Sequence, residues 1–121
     1  MKPLNGMLVL ALDDASDGAL ARLLTSFGAQ IKPVQPRTLA DELPRADFLI
    51  ESMGLPALRR AGLAREQIEQ SNPRLIHVSI TTLGSDAPRA EWRGGELVAS
   101  AMGGTLRVTG DADRSPVKEA L

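Results

Sequence analysis

Residues 46–80 read ADFLIESMGLPALRRAGLAREQIEQSNPRLIHVSI, and this stretch decides the fold. Phe48-Leu49-Ile50 is a short apolar run that ends at Glu51-Ser52. Gly54 and Pro56 break that strand and start a helix, since proline is tolerated in a first helical turn. Leu55, Leu58, Ala61 and Leu63 give the helix one apolar side, and Gly62 interrupts it. Ala64 to Gln70 continues as a short polar helix. Asn72-Pro73 stops it, because proline cannot extend a helix and restricts the residue before it. A second apolar run, Leu75 to Ile80, follows. Strand, helical crossover and strand make a βαβ unit, which takes about 30 residues. Its connection is expected to be right-handed.

Upstream, Met7 to Leu12 (MLVLAL) is continuously apolar, as expected of a strand covered on both faces. Leu20, Leu23, Leu24 and Phe27 fall at helical spacing between Ala19 and Phe27, and Gly28 ends that helix as a left-handed cap. Ile31 to Val34 reads as a short strand. Pro33 cannot donate a ladder hydrogen bond, so the strand belongs at an edge or a bulge. Thr38 is placed to cap a short helix, Leu39 to Leu43, with Asp41 and Glu42 in its first turns.

Downstream, Thr81 to Gly95 contains Gly84, Pro88 and Gly94 and reads as a loop. Glu96 to Met102 is a short helix expected to turn Leu97, Val98 and Ala101 inward, closed by Gly103-Gly104. Thr105 to Thr109 (TLRVT) alternates like a strand. Strands alternating with helices define an α/β class: an open, mostly parallel, Rossmann-like sheet with helices on both faces.

With 121 residues the chain is expected to be one domain, 1–121. Apolar residues make up 43% but aromatics only 2%, so the core is aliphatic. A net charge of −1 gives no electrostatic case for nucleic acid. The absence of cysteine excludes disulfides and thiolate chemistry, and with a single histidine no metal site is expected. No stretch is long and apolar enough to span a bilayer, and the start does not read as a signal peptide, so a cytoplasmic location is the expectation.

In open α/β sheets ligands bind beyond the carboxyl ends of the strands. Those places are Asp13 to Gly18, Gln35 to Thr38, Glu51 to Pro56 and Thr81 to Ser85. The first holds Asp13, Asp14 and Asp17, which suit helix capping better than metal binding. Three acids at a helix start also repel a pyrophosphate. His77, in mid-strand, reads as a packed, hydrogen-bonded residue rather than a catalytic one. No nucleophile elbow surrounds Ser79, Thr81, Thr82 or Ser85. Arg37, Arg59 and Arg60 follow strand-end turns. A guanidinium suits phosphate, although an exposed helical arginine is commonly just solvated. The residues alone support a domain for an anionic ligand and specify no reaction.

The chain resembles the family III CoA-transferases, the group of formyl-CoA transferase, carnitine CoA-transferases and α-methylacyl-CoA racemase. The likeness rests on Lys2-Pro3-Leu4-Asn5-Gly6, Phe27-Gly28-Ala29, Ala46 to Glu51, and above all Asn72 to Ile80. Gly84, Pro88, Ala101-Met102, Gly104, Val108-Thr109-Gly110 and Pro116-Val117-Lys118 continue in register. The resemblance implies a CoA-binding domain in an interlocked dimer, with acyl-CoA as substrate. It also implies covalent catalysis, in which an aspartate attacks the donor acyl-CoA and passes through an anhydride and an aspartyl-CoA thioester.

By position, the residues that would meet CoA are Ser16, Asp17, Arg37, Ser52, Met53, Gly54, Arg60, Thr81 and Gly84. Several features depart from the family pattern. The segment between Pro36 and Leu39 is short and omits a CoA-contacting asparagine-lysine-arginine stretch. Pro33 and Gln35 replace lysine and glutamate, Ser52 replaces asparagine, and Gly95-Glu96 replaces an aromatic-aspartate pair. The glycine-rich loop keeps Gly84 alone. No aspartate present aligns with the nucleophile, so no catalytic residue is assigned and no transfer is expected of these 121 residues alone. Two roles follow: the amino-terminal CoA-binding part of a transferase, or a non-catalytic module for folding, dimerisation or partner contact. The partner is correspondingly a second copy or the remainder of a transferase chain.

Overall fold

The computed structural model describes residues 2–13, 18–85 and 88–117. Four strands, β1 (Leu8–Leu12), β2 (Gln30–Val34), β3 (Phe48–Glu51) and β4 (Ile76–Ser79), form one sheet in the order β2-β1-β3-β4. Every pairing is parallel. The helices are α1 (Ala19–Ser26), α2 (Pro36–Glu42), α3 (Leu55–Arg60), α4 (Arg65–Ser71), α5 (Glu96–Met102) and α6 (Thr105–Val108), with a 3-10 turn at Leu43–Arg45. The α/β, Rossmann-like arrangement expected from the sequence is the one adopted.

The run Leu8 to Leu12 is apolar throughout because both of its faces are covered. Leu8, Leu10 and Leu12 pack with Leu39 of α2, Leu58 of α3 and Ile68 of α4. Val9 points the other way, toward Leu20 and Leu24 of α1. Leu10, Leu12, Leu39 and Leu49 are fully buried. Each buried aliphatic side chain of this size contributes about 1.5–3 kcal/mol, so the helix-covered faces hold the sheet.

Two polar side chains fix the register. The Asp47 carboxylate accepts the Leu8 amide at 2.8 Å, while the Asp47 amide donates to the Leu8 carbonyl at 2.9 Å. The Asn72 amide group donates to the carbonyls of Leu43 and Ala46 at 2.9 and 2.8 Å, and its oxygen accepts the Arg74 amide at 3.1 Å. The Asn72-Pro73 stop therefore also ties the entry of β4 to the entry of β3. Pro33 lies in β2, an outer strand, as its missing N–H requires.

Several expectations are corrected. The second helix starts at Pro36, not Leu39, with Gln35 as its N-cap. Proline pre-sets a first-turn conformation, and Thr38 then falls inside the helix, where its hydroxyl bonds back to Gln35. The first helix has Gly18 as N-cap; Asp14 and Asp17, two of the three aspartates expected to cap it, lie outside the described residues. Leu23, Phe27 and Ala61, all on predicted apolar faces, are exposed. α4 is not wholly polar, since Ile68 is 1% exposed.

The largest differences come after Ile80. α5 spans the predicted residues, but Leu97, Val98 and Ala101 are exposed rather than inward. Periodicity gave the helix its face, but no described layer lies against that face. Thr105 to Thr109 is not a strand: α6 takes Thr105–Val108. A strand needs a ladder partner, and none is supplied there among the described residues. The threonine hydroxyls instead bond locally, Thr105 to the Ser100 carbonyl and Thr109 to the Thr105 carbonyl. Among the described residues no helix is long and apolar enough to cross a membrane.

Candidate functional site

The chain leaves β1 toward β2 on one side and returns to β3 on the other. α1 covers one face, and α2 to α4 cover the opposite face. That reversal between β1 and β3 opens a crevice at the carboxyl ends of the strands, the usual ligand position in such sheets. Leu12 and Glu51 are paired at its floor. Asp13, whose φ is +62°, accepts the Ser52 hydroxyl across it at 3.4 Å. Ser16 and Asp17, the two candidate residues of the first turn, lie outside the described residues.

The turn Ser52 to Gly54 joins β3 to α3. Ser52 is exposed and Met53 packs against the core. Gly54 is buried with φ +77°. A Cβ at Gly54 would stand 3.2 Å from the Thr81 methyl, so glycine permits both the backbone turn and the close approach of the loop after β4. Gly54 and Thr81 are thus brought together with Ser52 and Met53 beside them. Gly84 follows in the same loop, exposed.

The candidate arginines are dispersed. Arg37 is exposed in the first turn of α2. Arg60 is the last residue of α3, where a cation complements the helix dipole, and its guanidinium pairs with Glu91 at 2.5 Å. Arg59, which the resemblance does not single out, lines a cavity of about 490 Å³ together with Pro56 and Trp92. The Arg89 guanidinium lies 5.3 Å from the centre of the Trp92 ring.

Sequence reasoning missed Glu51. Its side chain is completely buried, and its Oε2 accepts the Gly54 amide at 2.7 Å. Oε1 faces His77 Nε2 at 3.5 Å. Burial pushes the Glu51 carboxyl up. Against it act polar contacts from His77 and Ser79, the Gly54 amide and the attraction of the imidazolium, and these hold it below its ordinary value. The reason lies in the register: Glu51 pairs with Ser79, two residues from His77 and on its face, which only the assembled sheet specifies. His77 is packed, as expected, with its side chain 15% exposed. Its Nε2, however, stands at an ionic rather than a close hydrogen-bonding distance. The imidazole and Ser79 line a further cavity of about 390 Å³ against α4. No group of three potential metal ligands occurs among the described residues.

A model of one family, CoA-transferase family III, matches residues 32–121. The chain belongs to that family. A formyl-CoA:oxalate CoA-transferase of Streptomyces avermitilis is 35% identical over 79 residues, 65% of this chain and 19% of the relative. A succinate–glutarate CoA-transferase of Agrobacterium fabrum is 34% identical over 97 residues, 79% of this chain and 24% of the relative. The fold is shared with a CAIB/BAIF family protein of Brucella suis, at a TM-score of 0.81 and 23% identity, covering 99% of this chain and 44% of that one. The chain thus spans about a fifth to a quarter of the curated relatives and less than half of the solved structure. CoA transfer is the activity of the family, and CoA thioesters are its substrates.

Proposed function

We propose that this chain is the amino-terminal CoA-binding part of a family III CoA-transferase, residues 1–121 acting as one domain. The coenzyme lies along the carboxyl edge of the sheet, over the Ser52 to Gly54 turn. The observation that carries this reading is the crevice at the β1–β3 reversal, where Asp13 meets Ser52 and where Gly54 lets the Thr81 loop close in. Glu51 holds the Gly54 amide, so what the turn offers a phosphate or a thioester carbonyl is the surface at Ser52 and Met53. Ser52, Met53, Gly54, Thr81 and Gly84 supply the surface. Ser16 and Asp17, which the family resemblance also assigns to CoA, lie outside the described residues, and Arg37 and Arg60 supply positive charge. The covalent chemistry implied by the family requires an aspartate that matches none in this sequence, so the isolated chain binds without transferring.

A second reading is a non-catalytic module that dimerises or docks on the remainder of a transferase chain. What favours it is Arg60, already paired with Glu91, together with the uncovered apolar residues Trp92, Leu97 and Met102. Titrating CoA and an acyl-CoA into the chain, followed by heat and amide shifts, separates the two. Micromolar binding that weakens in Arg37→Ala and Arg60→Ala supports the first reading. Silence to millimolar CoA, with a dimer in sedimentation, leaves the second.

A further inference from the structure

Glu51 has no assigned role, and it is the one fully buried charged residue among those described. Its two carboxylate oxygens face different structural elements. Oε2 takes the amide of Gly54, the residue that starts α3 and ends the Ser52 to Gly54 turn. Oε1 faces Nε2 of His77 on the neighbouring strand at 3.5 Å. Both facing atoms, Glu51 Oε1 and His77 Nε2, are buried and have no hydrogen-bond partner. The Glu51 carbonyl also accepts the Ile80 amide at 2.8 Å, immediately before Thr81. One residue therefore touches both chain segments whose meeting, at Gly54 and Thr81, forms the candidate surface.

We propose that Glu51 is a positioning residue: its carboxylate fixes the Ser52 to Gly54 turn against the Thr81 loop through the Gly54 amide, with the His77 imidazole packed behind it. The assignment of that turn to CoA rests on the reading given above; the grip itself does not. A buried donor left unmatched costs about 1–3 kcal/mol, so the Gly54 amide selects the turn conformation in which it reaches the carboxylate. Gly54 contributes no side-chain cap to α3, and the carboxylate supplies the anchoring at this helix start. His77 approaches the carboxylate from the β4 side. The other groups around the imidazole are Ser79 and Ser85, joined by a hydroxyl–hydroxyl hydrogen bond, and the Arg65 and Glu69 side chains of α4, which pair with each other across the shared cavity. Glu51 is the carboxylate whose oxygen faces the ring, at 3.5 Å, and protonating it loosens both contacts at once.

The test is nuclear magnetic resonance on the whole 121-residue chain, following the Glu51 side-chain carboxyl carbon and the amides of Ser52, Met53 and Gly54 against pH. The expected result is that the Gly54 amide titrates in step with the Glu51 carboxyl, and that both midpoints move upward in His77→Phe. In Glu51→Gln, which keeps an acceptor for the amide, the turn shifts stay near wild type but the titration disappears. In Glu51→Ala the three amides move while the sheet amides stay in place. A Gly54 amide indifferent to the Glu51 titration overturns the proposal, as does an unshifted turn in Glu51→Ala. CoA itself is then added as the probe. Glu51→Ala is expected to weaken its binding about tenfold, the effect of about 1.4 kcal/mol, and Glu51→Gln to restore it. A wild-type chain that binds no CoA overturns the binding reading alone, since the pH titration has already decided the grip.

Discussion

Residues 8–80 and residues 88–117 use the same apolar vocabulary and end differently. Every buried apolar residue among those described lies between Val9 and Ile68. α5 and α6 bury none of theirs, and Leu97, Met102 and Val108 are 53, 55 and 81% exposed. A spaced set of leucines and valines makes a helix with a preferred side. Only a facing layer converts that side into stability. The sheet supplies the layer for α1 to α4, and the described structure supplies none for α5.

The largest effect that can break this contrast is a core truncation. Leu49→Ala, at a fully buried site in β3, is expected to cost about 2–5 kcal/mol. Leu97→Ala on α5 should stay within about 0.5 kcal/mol. Urea denaturation measures both. Equal losses would mean that α5 has a covering layer in solution. Asn72→Ala comes next, at about 1–3 kcal/mol by the same measurement, because two carbonyls lose their donor at once. A neutral result would mean that the β3 and β4 entries hold without that strap.

A third, smaller effect is a dependence on pH. The Glu51 carboxyl in the folded chain lies below its ordinary value of 4.5, so the unfolded chain binds the proton more readily. Its contribution is therefore complete above about pH 4.5 and lost as pH falls through the lower folded-state value. Denaturation curves across that window should lose part of their pH slope in Glu51→Gln, while a variant outside the sheet half, Glu91→Gln, keeps it. The smallest effect belongs to the exposed pair of Arg60 and Glu91: Arg60→Ala should change stability by at most about 1 kcal/mol.

Legibility in the sequence follows the same division. β1 and the crossover from Phe48 to Ile80 could be read because an apolar run, a proline stop and a glycine break are local signals. So could the span of α5. The exposure of its apolar side could not, since burial depends on a partner that periodicity does not describe. TLRVT misled because alternation is shared by a strand and by a short helix that has nothing to pair with. At the site, Gly54 and Thr81 were legible by position. Glu51 was not, because its importance comes from parallel register: only when β3 and β4 lie side by side does a carboxylate at a strand end find an imidazole and a backbone amide.

Pro33 carries a last consequence. On the β2 flank, proline and the exposed Lys32, which pairs with Glu42, leave poor terms for a newcomer. On the β4 flank Ile76 and Ile80 are half exposed, and Ile76–Ser79 itself carries no lysine, arginine or carboxylate. The sheet is therefore directional: it can be lengthened from one flank and is closed on the other, and a fifth strand of any origin has a single berth.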